Sequence, residues 1–313
     1  MDYFTYLWAL NQLNQLIFIM NRRQFINKSA MLLVAGSFAS REMLASAMAK
    51  ANKGRIGIQL YSVRSELPKD FEGTLKKLSA IGYSSVEPYG FNGDRFFNRT
   101  MKELSALVKD MGMTISGTHI NSGILPEDTN AKEWDLWKKC AASLKSGGGK
   151  WAIQAGYPGA RSLDGLKRIA DHFNRVGEVC KKGGVKFAYH NHNQELGRIE
   201  GEVILDYLIR NTDSKLVFFQ LDMGHTVNGG ADCVDYLRRF PKRIPLWHAS
   251  DFDASTRRYT EVGRGSVPYP ALFSLAQSAG LEQLTVEQET GGDIIASCKI
   301  DFDYLKQFKW TKV

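Results

Sequence analysis

Four short segments in the second half of the chain carry side chains that could bind a metal ion. These side chains are the pair His190 and His192, then Asp222, His248 and Glu287. Each segment follows an apolar, β-branched or aromatic run, which predicts the end of a β-strand. Active sites of eight-stranded α/β barrels gather at the C-terminal ends of the strands. Imidazole and carboxylate groups at four such ends could therefore converge on one divalent cation, which predicts a metalloenzyme.

The elements that must position these groups follow from two alternating hydrophobic patterns. Apolar and alternating runs predict eight strands, at 56–61, 84–89, 114–120, 151–155, 185–190, 216–221, 244–249 and 284–287. Helical patterns lie between them, at 71–81, 101–111, 131–146, 163–182, 202–210, 233–240, 270–279 and 297–308. Gly82, Gly112 and Gly280 follow helices as stop signals, and Asp70 can cap the first helix.

Eight strand-helix units predict a parallel sheet that closes into a single (β/α)8 TIM barrel. Removing residues 1–50 from the 313-residue chain leaves 263 residues, close to the ~250 typical of this fold. An open doubly wound sheet is the alternative. Against it, no glycine-rich dinucleotide fingerprint follows the first strand, where Gln59 to Ser62 stand instead. We therefore expect residues 51–313 to form one barrel domain.

The N-terminal residues have the layout of an export signal. Arg22 and Arg23 form a twin-arginine pattern, and the apolar run at 30–39 that follows is too short to span a bilayer of ~30 Å. Small residues before position 50 offer cleavage sites. We interpret residues 1–50 as a twin-arginine-type signal with extra N-terminal residues, and Met20 as the true start. The mature protein is then periplasmic and has no stable membrane span.

Charge and cysteine usage narrow the function classes. The signal region carries five basic and two acidic residues, so the net charge of +8 falls to +5 in the mature part. No run of Lys and Arg interleaved with aromatic residues is present, which argues against a nucleic-acid partner. The four cysteines have no metal-binding or redox spacing, and we interpret them as buried free thiols.

The order of the motifs resembles the xylose-isomerase-like superfamily of sugar and sugar phosphate isomerases and epimerases. The motifs are H-N-H at 190–192, D-x-G-H at 222–225, W-H-x-x-D at 247–251 and V-E at 286–287. The resemblance extends over about residues 55–310. It implies one cation held by ligands from the last four strands. The ligands here would be His190, Asp222, His248 and Glu287.

This donor set suits Mn²⁺, Co²⁺, Fe²⁺ or Zn²⁺ better than Mg²⁺, which prefers oxygen ligands and water. Many sugar epimerases of the superfamily carry a Glu on the fifth strand, paired with a Glu on the eighth as acid and base. This chain has His190 there. The change argues against a simple two-carboxylate epimerisation and leaves elimination, hydration or isomerisation through a histidine open. It also makes the cation a stronger Lewis acid.

Proton transfer is assigned to His192, because Glu287 is needed as a ligand and an imidazole has an unperturbed pKa of ~6.5. Glu287 and Glu289 are the alternative bases. Substrate contacts are expected from polar side chains at the same mouth of the barrel, namely Glu87, His119, Glu195, His225 and Arg264.

Together these features predict a divalent-metal-dependent enzyme of the sugar isomerase or epimerase type. It would act on a free or keto sugar through an enediolate, since export argues against a phosphorylated cytosolic substrate. Two alternatives remain open: a 3-keto-glycoside lyase or hydrolase that uses the same metal site, and a non-catalytic sugar-binding barrel. An apurinic endonuclease, whose barrel looks related, is disfavoured because its extra metal ligands are incomplete here.

Overall fold

The computed structural model describes residues 56–120 and 131–310. The predicted export signal, its cleavage sites and the Met20 start lie outside these residues. The strands in the described residues are β1 (Ile56–Gln59), β2 (Ser85–Glu87), β3 (Thr114–Ile115), β4 (Gly117–Ile120), β5 (Trp151–Gln154), β6 (Lys186–His190), β7 (Arg198–Ile199), β8 (Glu202–Val203), β9 (Val217–Asp222), β10 (Leu246–Ala249), β11 (Asp251–Asp253), β12 (Arg258–Thr260) and β13 (Gln283–Val286).

The helices follow the strands in regular alternation. They are α1 (Phe71–Ile81), α2 (Met101–Asp110), α3 (Ala131–Ser146), α4 (Leu163–Lys182), α5 (Ile204–Arg210), α6 (Met223–Asn228), α7 (Cys233–Arg239), α8 (Tyr269–Ala279) and α9 (Ile294–Leu305). Single turns of 3₁₀ helix follow β1 and β6, at Leu60–Val63 and Asn193–Leu196. None of the helices in the described residues has the length and apolar character needed to cross a membrane.

One parallel sheet forms the barrel, in the order β3-β2-β1-β13-β10-β9-β6-β5-β4. The strands β3 and β4 are two halves of one strand, interrupted at Ser116. The first half pairs with β2 and the second with β5. Backbone N–H groups of Ser116 and His119 donate to the carbonyls of Val86 and Pro88, at 3.1 and 2.9 Å. The order thus returns to its start and closes the predicted TIM barrel, which the structure confirms.

The barrel interior has an apolar floor beneath a polar upper layer. Trp151, Ile153, Ala188 and Leu246 form a cluster separate from the main core, with Phe218 packed against it. Because side chains alternate along a strand, Ala188 on β6 and Leu246 on β10 face the same side as His190 and His248, two positions further on. The larger core lies between the sheet and the helices, where Trp137 of α3 meets Phe187 of β6 at a ring separation of 5.5 Å.

Most predicted elements lie within three residues of their observed bounds, and α1, α3 and α4 have the predicted ones. Three differences have local causes. The predicted helix at 202–210 begins at Ile204, because Glu202–Val203 pairs with Arg198–Ile199 in a small antiparallel ribbon. The last helix begins three residues early, since Asp293 accepts a hydrogen bond from the Ala296 N–H and caps it. The short helix α6 was not predicted at all.

Candidate metal centre and active site

The four strand ends meet at the C-terminal mouth of the barrel. His190 ends β6, Asp222 ends β9, His248 lies on β10 and Glu287 follows β13. The sheet register sets His248 beside Asp222. One potential ligand atom from each of the four buried residues lies within 4.8 Å of the others. We call His190, Asp222, His248 and Glu287 the candidate metal centre.

The separations inside this centre suit a single ion. His248 Nδ1 lies 2.8 Å from Glu287 Oε2 and 4.0 Å from Asp222 Oδ2. His190 Nε2 lies 3.8 Å from Glu287 Oε2. Two ligands of one ion can be no more than two bond lengths apart, about 4 Å for metal bonds of ~2.0–2.2 Å. All three separations meet that limit, so the centre could bind a divalent metal.

Asp222 has one engaged and one unengaged carboxylate oxygen. Its Oδ1 accepts hydrogen bonds from the backbone N–H of His225 at 2.7 Å and from the Ser250 hydroxyl at 2.5 Å, and so caps α6. Its Oδ2 is buried and has no hydrogen-bond partner. A buried carboxylate oxygen without a partner is expensive unless a cation or proton satisfies it. The carboxylate can therefore cap the helix and bind a metal through different oxygens.

His248 lies between two carboxylates. Its Nε2 is 2.7 Å from Glu87 Oε1 and its Nδ1 is 2.8 Å from Glu287 Oε2. Burial alone would lower the pKa of His248, but the charges of Glu87 and Glu287 raise it to about 10. The same pairing lowers the pKa of Glu287 to about 2 against the opposing effect of burial. Without a metal, Nδ1 of His248 carries a proton at neutral pH. A bound cation would replace that proton.

Glu87 supports the centre from below and does not reach the cavity. It is 1% exposed, and it accepts hydrogen bonds from the side-chain amides of Gln59 at 2.9 Å and Gln220 at 3.0 Å. His119 Nε2 lies 3.0 Å from the same carboxylate and 2.8 Å from Gln220 Oε1. The structure thus gives Glu87 a different task from the predicted substrate contact, because its oxygens orient His248 and His119. A partner of this kind fixes the ring and tautomer of a metal-binding histidine.

A cavity of about 360 Å³ opens onto the centre. This volume falls at the lower end of the ~300–1,000 Å³ range of small-molecule sites. His119, His190, His192, Glu287 and Glu289 supply its polar lining, and Tyr61, Tyr89 and Phe91 are among its apolar lining. Four of the residues expected to bind or transform substrate line this cavity: His119, His192, Glu287 and Glu289.

His192 lies beside the centre but outside it. Its ring centroid is 4.9 Å from that of His190 and 4.8 Å from that of His225. Burial, helped by the nearby charge of His225, lowers the pKa of His192 to about 4. The imidazole is therefore neutral near pH 7, and its Nδ1 is buried without a hydrogen-bond partner. A neutral imidazole on a cavity wall can accept a proton from a bound molecule.

Glu195 positions the His192 loop. The carboxylate is fully buried, accepts the Tyr189 hydroxyl and accepts the backbone N–H of His192 at 3.2 Å. Both oxygens lie 3.2 Å from this N–H, so the carboxylate holds the loop, and its expected contact with substrate stays a prediction.

His225 and Arg264 were also predicted to bind substrate. His225 is 9% exposed and its Nδ1 lies 2.5 Å from the hydroxyl of Tyr259, which leaves Nε2 as its other polar atom. Arg264 is exposed and pairs with Glu261 at 3.1 Å. It is absent from the described lining of the cavity, and its expected contact with substrate stays a prediction.

Sequence reasoning missed Tyr259, Gln59 and Gln220. The first lies on the β11–β12 hairpin, whose three-residue strands are too short for a periodic signal. The two glutamines lie on strands, Gln59 at the end of β1 and Gln220 within β9, and nothing in the sequence distinguishes them from other strand residues. No local signal could have identified them, because their partners lie on other strands.

The fold and the site define a (β/α)8-barrel enzyme with a candidate metal centre at the mouth of the barrel. Residues 75–311 match the model of the Xylose isomerase-like TIM barrel family, and the chain belongs to that family.

Similar proteins of known name are sugar- and polyol-related enzymes. An inosose dehydratase from Geobacillus kaustophilus is 26% identical over 224 residues, which cover 64% of this chain and 70% of that protein. An inosose dehydratase from Clostridium perfringens is 29% identical over 103 residues, and this match spans only 33% of either chain. A crystal structure of a sugar phosphate isomerase/epimerase from Parabacteroides distasonis is 28% identical with a TM-score of 0.71, and the match covers 80% of this chain and 98% of that one.

Proposed function

We propose that this enzyme removes the proton from a carbon next to the carbonyl of a keto sugar or cyclic keto polyol, with one divalent metal ion at the candidate metal centre. One observation carries the proposal. Two residues of the buried centre, His190 and Glu287, line the same cavity as the imidazole of His192, and the Asp222 oxygen of that centre has no hydrogen-bond partner. A centre that could hold a divalent cation beside a neutral base suits the loss of a weakly acidic C–H proton.

His190, Asp222, His248 and Glu287 would hold the metal. Two imidazoles and two carboxylates suit Mn²⁺, Co²⁺, Fe²⁺ or Zn²⁺ better than Mg²⁺. When bound, such an ion polarises a carbonyl oxygen and stabilises negative charge that develops on it. The two carboxylates balance the charge of the ion, so the centre as a whole is near neutral.

His192 is the proposed base. Its imidazole takes the C–H proton, and the electron pair of that bond moves toward the carbonyl to give an enediolate. Burial keeps this histidine unprotonated at neutral pH, and Glu195 fixes its backbone through the hydrogen bond at 3.2 Å. Positioning of this kind removes much of the entropic barrier to proton transfer.

The fate of the enediolate decides the reaction class. Delivery of the proton to the former carbonyl carbon gives an isomer, and its return to the original carbon from the opposite face gives an epimer. Expulsion of an oxygen from the carbon beyond gives an unsaturated product. Burial, with the charges of Glu287 and Asp222, raises the pKa of Glu289 to about 7. Glu289 on the same cavity could therefore donate a proton to a leaving oxygen.

We favour elimination because the proposed base and acid are chemically different, His192 and Glu289. An epimerase of the two-carboxylate type would instead use two matched carboxylates, one on each face of the substrate. The similarity to named inosose dehydratases supports this choice. Isomerisation is the second candidate, supported by the likeness to the Parabacteroides distasonis isomerase/epimerase structure.

An unphosphorylated substrate fits the described lining of the cavity. Among the described residues there is no lysine or arginine on that lining, so the lining itself supplies no fixed cation to pair with a phosphate group. We also propose that the enzyme works in the periplasm after twin-arginine export, on the support of Arg22 and Arg23 before an apolar run. Cell fractionation followed by N-terminal sequencing tests this location. A periplasmic protein whose N-terminus is still Met20 would contradict cleavage of the signal.

Proton NMR in D₂O tests the chemistry. The metal-loaded protein is mixed with candidate keto sugars and keto polyols, separately with Mn²⁺, Co²⁺, Fe²⁺ and Zn²⁺, and the C–H signals next to the carbonyl are followed. Loss of one such signal through deuterium exchange is the expected first event, followed by a vinylic signal for elimination or by isomer signals. No exchange with any keto compound under any of the four metals would sink the proposal.

A further inference from the structure

Tyr61 and Tyr89 form an aromatic wall on the outer part of the cavity. Tyr61 is 42% exposed and is the single large hydrophobic side chain with that degree of exposure among the described residues. Both tyrosines line the cavity that His190, His192 and Glu287 line from the inside. Because this exposed ring lines the cavity, it can pack on a bound ligand while its hydroxyl stays in water.

The wall is held rigidly. The backbone N–H of Tyr61 donates to Gln59 Oε1 at 3.0 Å, in the 3₁₀ turn that directly follows β1. Arg64 lies 4.2 Å from the centroid of the Tyr61 ring and donates to the Tyr61 carbonyl at 2.9 Å. The edge of Tyr61 meets Tyr89 at 5.1 Å, and Tyr89 in turn packs at 5.1 Å against Phe97. Such fixed aromatic rings bind a flat apolar surface at little conformational cost.

The two tyrosines line the same cavity as His190 and Glu287 of the centre, so one molecule that fills this cavity can contact both. The inner cavity offers imidazoles and carboxylates, which suit hydroxyl and carbonyl groups, whereas the wall offers ring faces and edges. A free monosaccharide that fills the inner part leaves the wall without a partner.

We propose that Tyr61 and Tyr89 bind a second ring, a sugar or an aryl group, joined by a glycosidic oxygen to the ring that reaches the metal centre. This rests on the proposed function for the reacting ring, and it makes the substrate a glycoside. Both kinds of second ring have an apolar face that can pack on tyrosine. In a sugar this face is made of C–H groups, and in an aryl group it is made of aromatic carbon.

Calorimetric titration of the metal-loaded full chain with non-reacting sugars tests the wall independently of catalysis. The probes are methyl β-glucoside, phenyl β-glucoside and cellobiose, which share one sugar ring and differ in the second group. We expect phenyl glucoside, cellobiose or both to bind roughly threefold to tenfold tighter than methyl glucoside, the binding equivalent of one stacked ring. The probe with the larger gain identifies the second ring as aryl or sugar.

Two variants connect that gain to the wall. Tyr61→Leu keeps an apolar side chain but removes the ring, and should abolish the gain, whereas Tyr61→Phe should retain it. Tyr207→Ala, on α5 and away from the cavity lining, is the matched aromatic control. Equal affinity for all three probes in the wild type, or an undiminished gain in Tyr61→Leu, overturns the inference. Because none of the probes is a ketone, these outcomes are independent of deuterium exchange, which tests the proposed function.

Discussion

Glu87 Oε1 lies 2.7 Å from Nε2 of His248, although 161 residues separate the two in the chain. The other nitrogen of the same ring faces Glu287 at 2.8 Å. This pairing turns Nδ1 toward the candidate metal centre and keeps it there, because Glu87 is itself anchored by two glutamine amides. The arrangement is that of a histidine ligand supported by an outer carboxylate.

Replacing Glu87 by Gln should weaken metal binding without removing a ligand. The amide keeps the shape of the side chain but loses the charge that orients His248, and such supports are typically worth about 10- to 100-fold in metal affinity. Competition with a chromogenic chelator measures the change. Glu282→Gln, the same substitution at an exposed residue paired with Lys186, is the control. An unchanged affinity in Glu87→Gln would show that His248 needs no such support.

Asp222 allows its two roles to be separated by two substitutions. Asp222→Asn keeps an oxygen for the His225 N–H at 2.7 Å but cannot supply an anionic ligand, so it should lose bound metal and turnover while keeping the fold. Asp222→Ala should lose these and, in addition, about 0.5–2 kcal/mol of stability with the helix cap.

Metal analysis of purified protein and thermal unfolding of the metal-free form distinguish the two effects. Asp293→Asn, at the cap of α9, is a matched change away from the centre and should keep the metal. Full metal content in Asp222→Asn would remove this residue from the centre.

The fold could be predicted because its signals are local. Amphipathic helices such as α4, with Ser162 and Gly183 at its ends, carry their period and stop signals in their own residues. The helix α6 escaped prediction because six residues hold fewer than two turns of periodicity. Its start depends on the Asp222 side chain, which caps the helix through one oxygen only.

The composition of the centre was accessible from sequence for a different reason. Parallel strands end at one mouth, so His190, Asp222 and His248 could be placed together without knowing their distances. The partners of Glu87 could not be inferred, because they lie on other strands. Tyr61 follows the first strand closely, but its exposure is a property of the folded surface and could not be inferred from that position.

His192→Gln should reduce turnover by about 10²- to 10⁴-fold, the usual contribution of a general base, and leave bound metal nearly unchanged. The reason is that the imidazole lines the cavity but lies outside the candidate metal centre. His190→Gln is the contrasting variant and should lose the metal as well. Turnover is followed on the keto compound that shows deuterium exchange. Wild-type turnover in His192→Gln would place proton removal on a strand-eight carboxylate instead.

Glu289→Gln should separate the two steps of an elimination. The amide cannot donate a proton to a leaving oxygen, so product formation should fall by about 10²- to 10⁴-fold while deuterium exchange by His192 continues. Both rates come from the same NMR time course. Equal loss of exchange and product would instead make Glu289 the base, and Glu282→Gln again controls for the loss of a surface charge.

Asp301 should make the folded protein less stable as the pH rises. This buried carboxyl accepts hydrogen bonds at 2.7 Å from the Val262 N–H and from the Gln288 amide, next to Glu287. Burial raises its pKa to about 7, although these hydrogen bonds act in the opposite direction. An unfolded aspartate has a pKa of ~3.9, so above that pH the unfolded chain releases a proton that the folded chain still holds.

The stabilisation from that proton is complete below pH ~4 and is lost as the pH rises through 7, by an amount on the order of a few kcal/mol. Urea unfolding of wild type and Asp301→Asn at pH 5, 6, 7 and 8 isolates the contribution of this carboxyl from those of other titrating groups. Because Asn cannot ionise, the variant should gain stability relative to wild type as the pH increases across this window. A difference in unfolding free energy that stays constant from pH 5 to pH 8 would mean that Asp301 ionises at its ordinary pKa in the folded protein.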